Sequence, residues 1–201
     1  GAGARWCPPS YAALKKARKP NPGKDSLVAK SVSKAERAAA VAAELGRSRV
    51  AFRDVTNRTN SRTVLACLVP PQVFLTNKAP YLAFAEVDDH ARAAALGVLN
   101  SLSFDWQARR FVETNVNFFI LEGLRVPDMD DETFAAVVSA AARLSCPDER
   151  FADFAAATGV EVGMLDADER EALRSEIDAR VAYAWGLDAA DLEVIFADFT
   201  L

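Results

Sequence analysis

In the stretch Arg49-Val50-Ala51-Phe52-Arg53-Asp54-Val55, apolar and polar side chains alternate, which predicts a β-strand with Val50 and Phe52 on one face. A second, buried strand is expected in the continuous apolar run from Val64 to Val69, which Pro70-Pro71 ends. Residues 73–75 could add a third strand. Together these segments predict a small sheet early in the chain.

Helices are predicted on both sides of this sheet. Before it, Ser33-Lys34-Ala35-Glu36 has capping-box spacing, and the Ala-rich run that follows ends at Gly46. After it, helices are expected at 88–100 and 103–113, the second with Trp106 and Phe111 in the core. Residues 116–121 are apolar and β-prone. The remaining chain is expected to be helical, with apolar stripes at Phe134, Val137, Val138 and Ala141, at Phe151 and Phe154, at Leu173, Ile177, Val181 and Trp185, and at Leu192, Ile195, Phe196 and Phe199.

This order of elements predicts an α+β fold: a small early sheet with flanking helices, followed by a helical C-terminal portion. Residues 1–32 are rich in Lys, Pro and Gly and are expected to form a basic arm dominated by loops. Residues 33–127 are expected to form the α+β core, and residues 128–201 an acidic helical region. The last two could also fold as one continuous domain.

Charge is distributed very unevenly along the chain. Through Ala66 there are 14 Lys and Arg against 4 Asp and Glu, and from Cys67 onward there are 10 against 24. A basic segment joined to an acidic one suggests that only the first meets a polyanion. The alternative is that the Lys-rich stretches are merely solvated.

Several function classes lack their motifs. No apolar run approaches the ~20 residues of a membrane-spanning helix, so no membrane partner is expected. The three widely spaced cysteines and single histidine argue against a zinc site and suit a reducing cytosol. The acidic run from Asp128 to Glu132 suits the start of a helix better than a metal site. The start, without Met, suggests a fragment of a longer protein, and we expect no catalytic residue in it.

The stretch from Phe52 to Thr63 is the most informative for function. It holds three arginines, two asparagines and four hydroxyl side chains between two predicted strands. Arginine can bond guanine and asparagine can bond adenine, while hydroxyls hold phosphates. An ordinary polar turn, with side chains bonded to their own backbone, is the alternative that composition alone favours. The candidate DNA-binding residues are Arg53, Asn57, Arg58, Asn60, Arg62, Asn77, Lys78, Gln107, Arg109 and Arg110.

Four blocks of this sequence resemble, in order, the Eco57I-like restriction-modification methylases, which include type IIG enzymes and related phage-defence methyltransferases of bacteria. The first runs from Arg49 to Ala66, with Arg53-Asp54 and Arg62-Thr63. The others are Leu99-Asn100-Ser101 to Arg109, Val116-Asn117-Phe118-Phe119 to Pro127, and Leu173 to Leu187. Two positions depart from the family pattern: Ser61 stands in place of an acid, and Arg125 in place of proline.

The resemblance implies a target-recognition region that clasps and identifies double-stranded DNA, with residues 33–127 as its recognition core. In that family an upstream domain of the same cytoplasmic protein binds S-adenosylmethionine and methylates adenine at N6. No cofactor is therefore expected in this chain, and the upstream domain is expected as its partner. Whether the parent also cleaves DNA stays open. The alternative is a helical interaction or scaffolding domain that docks on the catalytic part or on another defence protein.

Overall fold

A computed structural model describes residues 34–84 and 88–199 of the chain. Helix α1 (Lys34–Leu45) precedes the strands β1 (Arg49–Phe52), β2 (Ala66–Val69) and β3 (Tyr81–Leu82). Seven helices follow in the described part: α2 (Asp89–Asn100), α3 (Leu102–Arg109), α4 (Phe118–Gly123), α5 (Asp131–Ser145), α6 (Ala152–Thr158), α7 (Ala167–Ala184) and α8 (Ala189–Ala197). A 3-10 turn, Glu149–Phe151, leads into α6. The predicted α+β class, with an early sheet and a helical C-terminal portion, is confirmed. The predicted arm, residues 1–32, lies outside the described residues.

The sheet is antiparallel and has the order β2-β1-β3. The register pairs Arg49 with Val69 and Phe52 with Ala66, while Val50 lies opposite Leu82. All four residues of β1 are buried, so both faces of this central strand are covered, and its alternating pattern does not mark an exposed face. The third strand is β3 and not residues 73–75, which form no strand in the structure.

Side-chain caps explain where several helices begin. The Asp88 carboxylate accepts from the backbone N–H groups of His90 and Ala91 at the start of α2. Asp166 and Glu169 form a capping box at the start of α7. The apolar run at residues 116–121, expected to be β-prone, is helical from Phe118. The Asn117 side chain caps this helix by accepting from Ile120 N at 3.0 Å, and a local cap of this kind outweighs weak strand propensity.

One cluster of buried apolar side chains joins the sheet to the helices. It includes Phe52 and Val64 beside the sheet, Phe104 on α3, Val137 on α5 and Val181 on α7. The apolar stripes of α5 and α7 thus belong to the core. Phe111, which was expected in the core, is 63 % exposed, because α3 ends at Arg109, before reaching it.

Helices α2 and α5 approach closely at Gly97. A Cβ placed there would lie 2.5 Å from Cγ1 of Val137, well inside van der Waals contact. We therefore expect Gly97→Ala to lower the free energy of unfolding by about 1–3 kcal/mol in a urea titration, despite the better helix propensity of alanine.

Gly123 supplies the matched control for this prediction. It is the last residue of α4, and a Cβ there would have no atom within 4 Å. Gly123→Ala should leave stability within about 0.5 kcal/mol of the parent. Equal effects of the two substitutions would contradict close packing at Gly97.

Within the described residues, no helix combines the length and the apolar character needed to cross a bilayer. The two described cysteines differ in environment. Cys67 is exposed, although partial burial of its thiol raises its pKa, whereas Cys146 is buried, and burial raises the pKa of Cys146 to about 11. At neutral pH the Cys146 thiol is therefore protonated and shielded.

Candidate nucleic-acid interface

Residues 53–63, which we call the polar loop, lie between β1 and β2. The end of the loop is hydrogen-bonded to a buried carboxylate. Asp105 on α3 is fully buried. It accepts hydrogen bonds from the backbone N–H of Thr63 at 2.9 Å and of Val64 at 2.5 Å. It also accepts from Nε of Arg109 at 3.1 Å, one helical turn away. The carboxylate is thus satisfied from several sides and fixes the end of the loop to α3.

Arg109 holds the middle of the polar loop. Its Nη2 donates to the carbonyls of Asn60 at 2.6 Å and Ser61 at 2.9 Å, and its Nη1 donates to the carbonyl of Arg58 at 2.9 Å. The guanidinium also lies over the ring of Phe199, 4.0 Å from its centroid. Arg109, predicted to face outward, therefore points its donors at the loop backbone.

Further hydrogen bonds within the polar loop join its first residues to its last. Thr56 is buried, and its hydroxyl donates to the carbonyl of Thr63 at 2.8 Å across the loop. Arg53 Nη2 donates to the same hydroxyl at 3.0 Å. The two ends of the loop are joined in this way, so the loop has a defined shape.

The two asparagines also serve the shape of the loop. The Asn57 carbonyl oxygen accepts from the backbone N–H of Thr59 at 3.0 Å, which forms an Asx turn. The Asn60 amide oxygen accepts from Arg53 and from the backbone N–H of Asn57, both at 3.2 Å. The turn alternative considered for these residues is thus present, although the amide nitrogen of Asn57 stays exposed.

Arg62 turns away from the loop tip towards helix α7. Its Nη2 lies 3.4 Å from Oδ2 of Asp178. The other oxygen of Asp178 accepts from the backbone N–H of Leu102 at 2.6 Å. Burial raises the pKa of Asp178, and the Leu102 N–H and the Arg62 charge act against that rise. Arg62 thereby connects the polar loop to the acidic helical region.

Arg58 is the cation that the loop leaves free. Its side chain is exposed and has no hydrogen-bond or ion-pair partner in the described part of the chain. Its own carbonyl is held by Arg109. The loop therefore fixes the backbone of Arg58 and leaves its guanidinium in solvent.

Two further exposed arginines are attached to α3. Arg110 lies over the Trp106 ring, 3.9 Å from its centroid, and 3.7 Å from Oδ2 of Asp198. Arg125 is exposed, and its backbone is bonded to the amide of Gln107 on α3: Arg125 N donates at 2.8 Å and Arg125 O accepts at 3.2 Å. Gln107 is thus a positioning residue for Arg125.

The remaining candidates lie beside the start of the polar loop. Lys78 Nζ is 3.2 Å from Oδ2 of Asp54, and the Asp54 N–H donates to the Lys78 carbonyl at 3.0 Å. Asn77 is exposed beside it. The structure thus brings the side chains of Arg53, Asn60 and Arg109 and the carbonyl of Arg58 into one network, and places Asn77 and Lys78 at the base of the loop.

Sequence reasoning missed Asp105 and Arg125. The four-residue spacing of Asp105 and Arg109 on a predicted helix was a usable signal for the first. For Arg125 the signal was that the family which the sequence resembles has proline at this position. Comparisons with protein-family models, with curated proteins and with solved structures found no match.

Proposed function

We propose that this chain recognises double-stranded DNA as the target-recognition part of an N6-adenine DNA methyltransferase or restriction-modification enzyme. The observation that carries the proposal is Arg58, an exposed guanidinium without a partner among residues 34–84 and 88–199, on a loop whose backbone is held by Arg109 and Asp105. A cation on a fixed backbone loses little backbone freedom on binding, which favours contact with phosphates and base edges.

The chemistry of the exposed groups supports DNA as the ligand. The planar guanidinium of Arg58 can donate two hydrogen bonds to guanine or to a phosphate, and the amide nitrogen of Asn57 is also available at the loop surface. Arg110, at the end of α3, and Arg125, which is hydrogen-bonded to Gln107 of α3, add two exposed cations. Asp198 beside Arg110 offsets part of that positive charge, so Arg58 and Arg125 carry most of the proposed attraction.

The catalytic steps belong, in this proposal, to an upstream domain that binds S-adenosylmethionine in the cytoplasm. No residue described here is assigned a chemical step. The scaffolding alternative gains no support from the apolar stripe of α7, because Ile177 and Val181 are buried against this chain's own core.

Arg58→Ala tests the proposal on a side chain that has no hydrogen-bond or ion-pair partner in the described part of the chain. We expect the affinity for a random-sequence duplex to fall about three- to tenfold, and the slope of log affinity against log salt to become shallower by about one, because one phosphate contact is lost. Fluorescence anisotropy with a labelled duplex measures both quantities.

Arg150→Ala is the matched control. Arg150 is an exposed arginine paired with Asp148, far along the chain from the polar loop. Its removal should leave the affinity and the slope unchanged. If Arg58→Ala binds duplex as tightly as the parent chain, the assignment of the polar loop to DNA is wrong.

A further inference from the structure

A cleft of about 660 Å³ opens between β2, α2, the end of α5 and the exposed side of α7. Its volume lies in the range of small-molecule sites, which is about 300–1,000 Å³. The lining is largely apolar, and its apolar members come from β2 and the residue before it, from α2, α5 and α7, and from the loop before α7: Leu65, Leu68, Leu96, Leu144, Met164 and Ile177.

Four arginines are among the residues that line this cleft. Arg62, Arg143, Arg170 and Arg174 all line it, whereas Asp178 is the single acidic group among the described residues that do. The Asp178 carboxylate is already engaged by Arg62 and by the Leu102 N–H. The positive charge is therefore concentrated here, although the chain from Cys67 onward carries 24 Asp and Glu against 10 Lys and Arg.

Among the described residues, no carboxylate forms an ion pair with the other three arginines. Arg143 Nη1 donates to the carbonyl of Gly163 at 2.7 Å, and Arg170 Nη2 donates to the carbonyl of Leu165 at 3.4 Å. These neutral acceptors orient the guanidinium groups and leave their charge available. Arg174 is exposed and has no hydrogen-bond or ion-pair partner among the described residues.

We infer that this cleft binds a small organic phosphate, its phosphate held by Arg174 with Arg143 and Arg170, and its apolar or planar body lying on the leucine-rich floor. Guanidinium groups match phosphate oxygens in pairs, and the apolar floor gains from covering a body of similar character. The inference does not rest on the proposed DNA function, since Arg58 does not line the cleft.

Fluorescence of anilinonaphthalene sulfonate, an organic anion with a planar apolar body, tests the inference on the whole chain. We expect saturable binding that octyl phosphate and AMP displace at concentrations at least about tenfold lower than inorganic phosphate, because the phosphate alone lacks contact with the apolar floor. Arg174→Ala should weaken probe binding about tenfold or more, as expected for loss of a charge-assisted hydrogen bond.

Arg180→Ala is the matched control, since Arg180 lies on the same helix, pairs with Glu176 and Glu132, and does not line the cleft. It should bind the probe as the parent does. Unchanged binding by Arg174→Ala would overturn the inference. So would inorganic phosphate competing as well as octyl phosphate, or displacement by a duplex oligonucleotide and by neither organic phosphate.

The exposed thiol of Cys67 lines the same cleft and reports on occupancy at that place. In a Cys7→Ser background, saturating octyl phosphate should slow the reaction of Cys67 with N-ethylmaleimide several-fold, while Cys146 stays unreactive because it is buried. Displacement of the probe with no change in the Cys67 rate would place the binding elsewhere and would also overturn the inference.

Discussion

Asp105→Ala is expected to lower the free energy of unfolding by about 3–5 kcal/mol, the range for removing one partner from a buried ionic network. The carboxylate is fully buried and accepts from the backbone N–H groups of Thr63 and Val64 and from Arg109. Its loss leaves two buried donors and a guanidinium without their acceptor. Urea unfolding followed by circular dichroism measures the change.

Two further variants serve as comparisons for this prediction. Asp105→Asn keeps one acceptor oxygen in the same shape but turns an amide N–H₂ towards donors, so we expect a cost between those of the parent and Asp105→Ala. Glu171→Ala removes an exposed carboxylate on α7 and should change stability by less than about 0.5 kcal/mol. A loss from Asp105→Ala as small as that from Glu171→Ala would show that this carboxylate does not hold the loop.

Arg109→Ala is expected to cost about 2–4 kcal/mol and to release the polar loop. The substitution removes the donors to the carbonyls of Arg58, Asn60 and Ser61 and leaves Asp105 buried without its cation. Backbone amides of the loop should exchange hydrogen at least about tenfold faster, because the loop can open locally without first breaking the hydrogen bonds to Arg109. Hydrogen exchange followed by mass spectrometry measures the rate over the loop.

Arg109→Lys distinguishes geometry from charge. A single ammonium cannot reach the three carbonyls and Asp105 together, so we expect it to restore little of the exchange protection. Arg180→Ala, on the surface of α7, should leave loop exchange unchanged. Full protection in Arg109→Lys would mean that only the charge of Arg109 is needed.

The fold could be predicted where a local pattern decides the structure. Helices with capping residues, such as the one that Asp166 begins, follow from short-range hydrogen bonds that sequence spacing shows. The predictions failed where the outcome depends on distant packing. Strand β3 has two residues, too few for any periodicity, and its place is set by pairing with Val50 and Ala51.

The candidate site was predictable in composition and not in the role of each residue. Three arginines and two asparagines between strands identify the polar loop, but they do not say which cation is free. Arg62 is drawn to Asp178, 116 positions further along the chain, and Arg109 is drawn to carbonyls 48 to 51 positions before it. Such partners are set by tertiary structure, and they separate Arg58 from the arginines that hold the loop.

We propose that duplex DNA binds this chain at Arg58 of the polar loop and at the exposed Arg110 and Arg125. A salt titration of binding to a random-sequence duplex, followed by fluorescence anisotropy, tests it most directly. We expect log affinity to fall linearly with log salt, with a slope that corresponds to about two to four released counterions. Absence of binding even at low salt, or an affinity that does not change with salt, would contradict the claim.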